Sequence, residues 1–531
     1  MNCTSSRLQY SDTGYFSKII TDYLQAKKDI FPFYKHATDL KGIKDAIEER
    51  KKFSNHRNTL VTELEKQYAG LPSSDAVKQS IRLLGDENTF TITTAHQPVI
   101  FTGTLYFIYK ILHVIKLAAS FKEQLPQYNF VPVFYMGSED ADLDELGSIW
   151  LNNEKITWDT QQTGAVGRMN TAGLEKIIAR IDGELSVQPY GKELSQLLKD
   201  CYIGSPDIQT ATFKLIDAIF ARYGLVVLIP DNASFKRLLL PVFEDDLFNQ
   251  TPSGIAEQTI EALSEHYKVQ ANPRAINLFY LKDDIRERIE KDGDEWQVVG
   301  KNIRFTRQAL QKEMNEHPER FSPNVILRGL FQETILPDIL FVGGGGELAY
   351  WLELKNIFEH YKVPYPVLVL RNSFLIVEKR WQEKIKRLGF CVVDFFKPEQ
   401  ELLTTLVTHN KSGALKLEAE LEEVKKFYGQ LKTKASAIDT TLEQHIEALR
   451  AKATRPLYEL EKKMLRAEKR KYKDQLRQIH TIKSALFPMN GLQERVENFM
   501  PYYAKWGSKF IDMLYDNSLT LEQEFFMLDE Q

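Results

Sequence analysis

Cysteine is scarce in this 531-residue chain: Cys3, Cys201 and Cys391 are the complete set, odd in number and widely spaced. They offer neither a disulfide framework nor a CxxC metal pair, and they suit a reducing compartment. Long apolar runs are missing too. No stretch reaches the ~18 consecutive apolar residues of a membrane span, and MNCTSSRLQYSDTGYF lacks the basic start and apolar run of a signal peptide. We therefore expect a cytoplasmic protein, neither exported nor membrane-spanning. Charge of one sign is also lacking, since 69 Lys and Arg face 73 Asp and Glu, a formal net charge of −4. The pI near 6.3 gives no general attraction for nucleic acid or anionic lipid, so nucleic-acid binding is disfavoured and any such affinity must be local. Absent, finally, are GxSxG, HExxH, CxxC, EF-hand, GxGxxG and Walker A patterns, which argues against serine hydrolases, zincins and calcium sensors and points to no particular nucleotide. No metal ligands are assigned, and use of a metal stays open.

What is present reads as an ordinary globular α/β chain, with 43% hydrophobic and 27% charged residues. Single cores stop growing near ~250 to 300 residues, so two to four packed units are expected. Residues before 85 read as helices, with helical spacing in Tyr15 to Leu24 and Val61 to Leu71. Thr89 to Thr94 then reads as a strand, Leu105 to Phe121 as a helix and Asn129 to Met136 as a second strand, which together make a βαβ unit. Unalternating runs at Leu225 to Ile229, Ile339 to Val342 and Val367 to Leu370 predict further buried parallel strands. Helices are expected at Thr212 to Arg222, Ser234 to Leu247 and Glu347 to Tyr361. Two β-type stretches interrupt this alternation: IWLNNEKITW, with Asn152-Asn153 as its turn, and a longer run from INLFYL through an Asp292-Gly293 turn to NIRF.

From Leu415 the chain turns polar and glycine-poor. Leu417, Leu421, Val424, Tyr428, Leu431, Ala435, Ile438, Leu442, His445 and Leu449 alternate steps of four and three, the seam of a coiled coil. One unbroken helix through Leu449 is expected, with Thr454-Arg-Pro456 starting a second that carries Leu457, Leu460, Met464, Leu476 and Ile479. Residues 411–483 hold 18 Lys or Arg against 11 Asp or Glu. This basic excess reads as a solvated face or as a contact for an acidic partner. The domain plan is 1–146 (helices and first half of the core), 147–210 (first insertion), 211–266 (core), 267–325 (β-rich second insertion), 326–410 (second half of the core), 411–486 (antiparallel hairpin) and 487–531 (return to the core).

Three stretches could carry chemistry. In Leu340-Phe-Val-Gly343-Gly344-Gly345-Gly346-Glu347-Leu-Ala-Tyr350-Trp351 a strand runs through four glycines into a helix, where bare backbone and free N–H groups can approach a phosphate or carboxylate. Tight helix–strand packing would use the same glycines. In Ser138-Glu139-Asp140-Ala141-Asp142-Leu-Asp144-Glu145 the acids follow a parallel strand, where ligands of open α/β sheets sit; they could hold an amine, a sugar hydroxyl or a metal ion, or merely favour a helix start. In His96-Gln97-Pro98 and Thr102-Gly103 the turn after the first strand resembles by position the HxGH signature of nucleotidylyl transferases, without its second histidine. Lys110, Arg168 and Arg371 are either phosphate or carboxylate contacts or surface ion pairs.

Taken together, these stretches resemble the BshC family, the cysteine-adding ligases of bacillithiol synthesis. The likeness runs from LQYSDTGYFSKIITDYL through TTAHQPVIFTGTLYFIYKI, FVPVFYMGSEDADLDEL, GAVGRM and DILFVGGGGELAYWLELKNIF to LFPMNGLQERVEN. It implies an α/β fold with a Rossmann-like, nucleotidylyltransferase-like core, two connecting-peptide insertions, and a C-terminal helical coiled coil through which subunits pair as a homodimer. It also implies that L-cysteine is joined to the amine of glucosaminyl-malate. Many relatives carry EDHD where this chain has Glu139-Asp140-Ala141-Asp142, and Gly where it has Ala95. No role for a histidine in the acidic loop can therefore be carried over. On this reading ATP activates the cysteine carboxylate by adenylation or phosphorylation. Gly343 to Gly346 and the His96 to Gly103 turn would cradle an anion, Glu139 and Asp142 would hold or deprotonate the amine, and Glu347, Tyr350 and Trp351 would shape the pocket. The alternatives are a ligase or nucleotidylyltransferase for another amino sugar or acid, and a non-catalytic coiled-coil scaffold with a ligand-sensing core.

Overall fold

The computed structural model describes residues 3–72, 74–410 and 416–530. They form two compact units: one holds the described residues up to Leu375 together with Gly491–Asp529, the other those of Ile376–Asn490 with Glu530.

The first unit is organised by a parallel sheet. Among the described residues its strands are β1 (Thr89–His96), β2 (Asn129–Met136), β3 (Val226–Leu228), β4 (Asp338–Gly343) and β5 (Val367–Leu370). Their spatial order is β5-β4-β1-β2-β3, parallel throughout. These are the expected strands, and their burial on both faces is why apolar and β-branched residues run on without alternation. The chain moves outward from β1 through β2 to β3, then crosses back to lay β4 and β5 on the other side of β1. At that reversal, between β1 and β4, a crevice opens beyond the carboxyl ends of the strands. Register sets His96 opposite Met136 and Gly343 opposite Leu370, so the ends of these strands form one rim.

Helix α1 (Leu105–Gln124) follows β1 and is buried on nearly every face. A helix that is apolar all round must be covered all round. Here the C-terminal segment supplies the second cover: the Leu105 N–H donates to Glu497 O at 2.8 Å, and His113 Nε2 lies 2.8 Å from Thr520 O.

Both β-type stretches form. Strands Ser148–Leu151 and Glu154–Thr157 pair across Asn152 and Asn153, both at positive φ (49° and 66°), as a two-residue primed turn requires. Strands Leu278–Lys282, Ile285–Asp292, Glu295–Val298, Arg304–Thr306 and Phe321–Pro323 form an antiparallel sheet.

Three helix expectations are corrected. The helix expected over Glu347 to Tyr361 starts earlier and divides into α2 (Gly345–Leu352) and a helix at Lys355–Tyr361. Between them, buried Glu353 accepts the backbone N–H groups of Gln270 (2.6 Å) and Ala271 (2.9 Å). The helix expected over Ser234 to Leu247 divides between Arg237 and Leu240, with Pro241 in the first turn of the second helix, where it supplies no N–H to the turn before it.

The third correction concerns the coiled coil, which belongs to the second unit. Its seam is not one helix through Leu449: α3 (Glu418–Ser436) ends in a turn, and α4 (Leu442–Lys469) runs through Pro456 rather than starting there. At the turn Asp439 accepts both the N–H and the hydroxyl of Thr441 at 2.8 Å, a local bond that competes with helix continuation. Pro456 is tolerated because it lies on an exposed face, where water can satisfy the carbonyl it leaves unpaired. The two helices are antiparallel neighbours, with Lys432 paired to Glu443 at 3.3 Å and the Leu417 N–H donated to Glu461 at 2.7 Å. A further helix, α5 (Lys473–Leu486), follows before the chain rejoins the first unit at Gly491.

Candidate active site

The crevice at the reversal point holds a cavity of about 690 Å³. Ala95, His96 and Gln97 reach it from the end of β1, Gly137 and Asp140 from the end of β2, Gly344 to Glu347 and Tyr350 from the start of α2, and Arg371 from the end of β5. Tyr106 on α1 and Arg495 of the C-terminal segment close one side. Asn272, Arg274, Phe279, Arg286, Asn324, Val325 and Arg328 close the other. Thus one strand-end geometry gathers residues spread over 400 positions of sequence.

Its floor is the glycine turn. A Cβ on Gly343 would fall 2.6 Å from Leu348 Cδ1 and 2.8 Å from Phe341 Cε1, so this glycine serves packing. On Gly346 a Cβ would meet nothing within 4 Å, so this one faces open space. The Gly344 N–H donates to Glu347 Oε2 at 2.8 Å, and the same carboxylate pairs with the Lys110 ammonium. Lys110 is 1% exposed and also donates to Ala95 O at 2.7 Å. Burial lowers its pKa, against the pull of Glu347. Arg371, also buried, donates to Glu494 Oε1 at 2.7 Å. Its Nε has no hydrogen-bond partner among the described residues and lies 3.6 Å from where a Gly344 Cβ would stand.

The walls carry an excess of positive charge. Arg274, Arg286, Arg328, Arg371 and Arg495 line the cavity with Asp140 and Glu347 as the lining acids. Arg286, bonded to the Ser322 hydroxyl at 3.3 Å and stacked on Phe279 (4.1 Å), has its pKa lowered to about 10 by burial and by neighbouring Arg328, against the pull of Asp140 and Glu139. Burial works to raise Asp140, yet Arg328, Arg286 and a bond from Gln97 hold it below the usual carboxylate range. Arg495 is lowered as Arg286 is, by burial and by Arg371, whereas Arg328 and Arg371 are raised, against burial, by Asp140 and Glu494 respectively, so Arg286 and Arg495 are the two short of an anion. A bound carboxylate or phosphate would supply one.

His96 is neutral. Burial and nearby Lys110 lower its pKa to about 4. Its Nδ1 lies 3.0 Å from Gln97 O, and its Nε2 3.1 Å from the Tyr106 hydroxyl. Since a carbonyl only accepts, Nδ1 carries the proton and Nε2 accepts from Tyr106.

The structure thus brings His96, Gln97, Asp140, Gly344, Gly345, Gly346, Glu347, Tyr350 and Arg371 to one cavity, with Lys110 directly behind Glu347. Other sequence candidates lie elsewhere. Glu139 is 6% exposed and pairs with the buried Lys236 ammonium, with Ser322 donating to its other oxygen at 3.2 Å, so its charge is already compensated. Asp142 caps a short helix, accepting the Glu145 N–H at 3.1 Å. Ser138 is fully buried beneath Gly167, whose N–H donates to its carbonyl at 3.0 Å. Arg168 forms a two-point pair with Asp231 at 2.6 and 2.7 Å. Thr102 and Gly103 sit in a turn held by the Asn498 amide, which donates to Phe101 O at 2.9 Å and to Gly103 O. Trp351 is a core residue, 1% exposed and stacked on Phe341 and Phe358 at 4.6 and 5.5 Å. Tyr106 and Arg274, Arg286, Arg328 and Arg495 were not singled out from the sequence. Scattered single arginines carry no spacing signal, and Tyr106 is masked by the apolar run around it.

Comparison with known proteins agrees with this architecture. The family description "Bacillithiol biosynthesis BshC, N-terminal Rossmann-like domain" matches residues 1–372, and "Bacillithiol biosynthesis BshC, C-terminal coiled-coil domain" matches residues 374–530. A relative from Flavobacterium johnsoniae is 39% identical over 98% of this chain and 98% of its own length. One from Cytophaga hutchinsonii is 38% identical over 96% of each chain, and one from Flavobacterium psychrophilum 35% identical over 98% of each. All three bear the name "Putative cysteine ligase BshC". With both halves of the chain matched in order and a Rossmann-type sheet beneath the first, this chain belongs to the BshC family of bacillithiol biosynthesis.

Proposed function

We propose that the chain is a cysteine ligase that joins the carboxylate of L-cysteine to the amine of glucosaminyl-malate, completing bacillithiol. The observation that carries this reading is the arginine-walled cavity set against the glycine turn at the sheet's reversal point. Each proposed reactant is anionic where it must be held: the malyl carboxylates, the cysteine carboxylate and the phosphates of ATP. Among the five lining arginines Arg286 neighbours Arg328 and Arg371 neighbours Arg495, two cationic pairs that could each hold an anionic group. ATP fits the same surface, because the Arg371 Nε and the open face of Gly346 are free to meet a phosphate.

Forming an amide from a carboxylate in water is uphill, so ATP would supply the phosphoryl or adenylyl group that turns the cysteine carboxylate into a good acyl donor. The arginines would neutralise that group and hold it in line, while Lys110 and Glu347 keep the glycine turn in place. The proposed setting is the cytoplasm; among the described residues no helix is long and apolar enough to cross a membrane. The proposed assembly is a homodimer paired through the coiled coil.

Purified protein incubated with cysteine, glucosaminyl-malate and ATP tests the reading, with mass detection of the thiol product and of AMP or ADP. Product with AMP marks adenylation and product with ADP phosphorylation. No product with any of these reactants would overturn it. Arg328→Ala should raise KM for glucosaminyl-malate or ATP by about tenfold or more, the cost of one charge-assisted hydrogen bond.

A further inference from the structure

An amine that attacks an acyl group must pass a proton to an acceptor within hydrogen-bond reach. The acids nearest the reaction are already engaged: Glu139 with Lys236, Glu347 with Lys110, and Asp140 with Arg328 (3.6 Å) and Gln97 (3.3 Å). Tyr106 differs. Its hydroxyl lies 3.1 Å from His96 Nε2, its ring lies under the Arg371 guanidinium (4.9 Å) with the Lys110 ammonium at 5.9 Å, and it lines the cavity beside the glycine turn.

Resting on the ligase reading above, we propose that Tyr106 is a catalytic residue whose phenolic oxygen receives a proton from the attacking amine while its own proton passes to His96 Nε2. The tautomer sets the direction. Because Gln97 O holds the proton of His96 on Nδ1, Nε2 presents a lone pair to the phenol; the phenolic oxygen, whose other hydrogen-bonding neighbour is Thr104, keeps a second lone pair for the cavity that Tyr106 lines. As the amine nitrogen bonds to the activated acyl carbon, its own proton becomes acidic. That proton moves to Tyr106 Oη, the phenolic proton moves to His96 Nε2, and the acyl C–O bond breaks with its electron pair leaving on the phosphate or adenylate oxygen. The imidazolium then returns the proton through Tyr106 to the departing oxyanion or to water. His96 Nε2 is unprotonated at working pH and open to the phenolic proton, and because burial and Lys110 disfavour the imidazolium the proton is held there only in passing. His96 acts through the phenol and is therefore a positioning residue and proton acceptor.

The test separates activation from transfer. Tyr106→Phe keeps the ring beneath Arg371 and removes the hydroxyl. With cysteine, glucosaminyl-malate and ATP, the full-length variant should show kcat lowered about 100-fold, the lower range for loss of a general acid–base group, with KM for each substrate within about twofold. Hydroxylamine, which attacks as a neutral nucleophile, should still trap the activated cysteine as hydroxamate at a rate within about twofold of the natural protein. His96→Gln should give the same split, and the double variant should be no slower than either single one, because both remove one proton path. Transfer by Tyr106→Phe within about twofold of the natural protein overturns the relay. Parallel loss of hydroxamate and transfer also overturns it, in favour of a structural role. If the unaltered protein itself makes no thiol product, it is the ligase reading that fails.

Discussion

Lys236 shows at the level of single residues how charge is distributed between the core and the cavity. Its side chain is 0% exposed and serves both Glu139 and Asp231, the latter at 3.4 Å. Lys236→Met leaves Glu139 buried without its cation and should cost about 3 to 5 kcal/mol, read as a lower urea midpoint; a change under about 1 kcal/mol would show that Glu139 is free to serve a ligand. Asp246, fully buried, accepts the Asn277 N–H at 2.7 Å and its side-chain amide at 3.0 Å. Asn277 in turn accepts the amide of cavity-lining Asn324 at 2.9 Å. Burial raises the Asp246 pKa from 3.8 to about 7. The folded protein thus holds this proton more tightly than the unfolded chain, so its contribution is full below the unfolded pKa and is lost as pH rises through about 7. Asp246→Asn should flatten the decline in urea midpoint between about pH 4 and about pH 7; an unchanged slope would place the proton elsewhere. None of this was legible in the sequence. A lysine or aspartate takes its meaning from whatever a distant segment sets beside it.

Secondary-structure elements were legible where periodicity carried them. The strands read at Asn129 to Met136 and Val367 to Leu370 form with those bounds, because doubly buried parallel strands must be apolar throughout. The glycine turn was legible as a feature, though not in its division of labour. Gly343→Ala should overpack against Leu348 and Phe341 and cost about 1 to 3 kcal/mol. Gly346→Ala should instead gain about 0.5 to 1 kcal/mol from helix propensity while adding a methyl group to the cavity. Thermal melts with KM for ATP check the pair; equal destabilisation by both would mean that packing alone explains the glycines. The coiled-coil seam was legible as a pattern, but the place of its turn was not. A four-three repeat continues unchanged when a helix folds back on itself, so spacing could not separate Asp439 from Pro456 as the break.

The molecule as a whole has an architecture that order along the chain made readable: alternating strands and helices interrupted by two β-type insertions, then a charged helical hairpin. The proposed homodimer belongs to this scale. Phe427, Leu449, Tyr458 and Leu460 are 57%, 37%, 46% and 46% exposed on the hairpin, apolar area that an isolated chain leaves in water. Sedimentation at micromolar concentration should give twice the 61.5 kDa chain mass, and Leu449→Lys with Leu460→Lys should shift it to monomer. A monomer in the unaltered protein would remove the role. By itself the sequence determined the fold class, the glycine turn and the hairpin, because apolar period and turn chemistry are local properties of consecutive residues. Only the tertiary structure decided that Glu139, Asp142, Arg168 and Trp351 stand away from the cavity while Tyr106 and arginines from distant segments line it. Charge compensation and burial depend on distances in space, and the crossover from β3 back to β4 brings together groups that the chain keeps far apart.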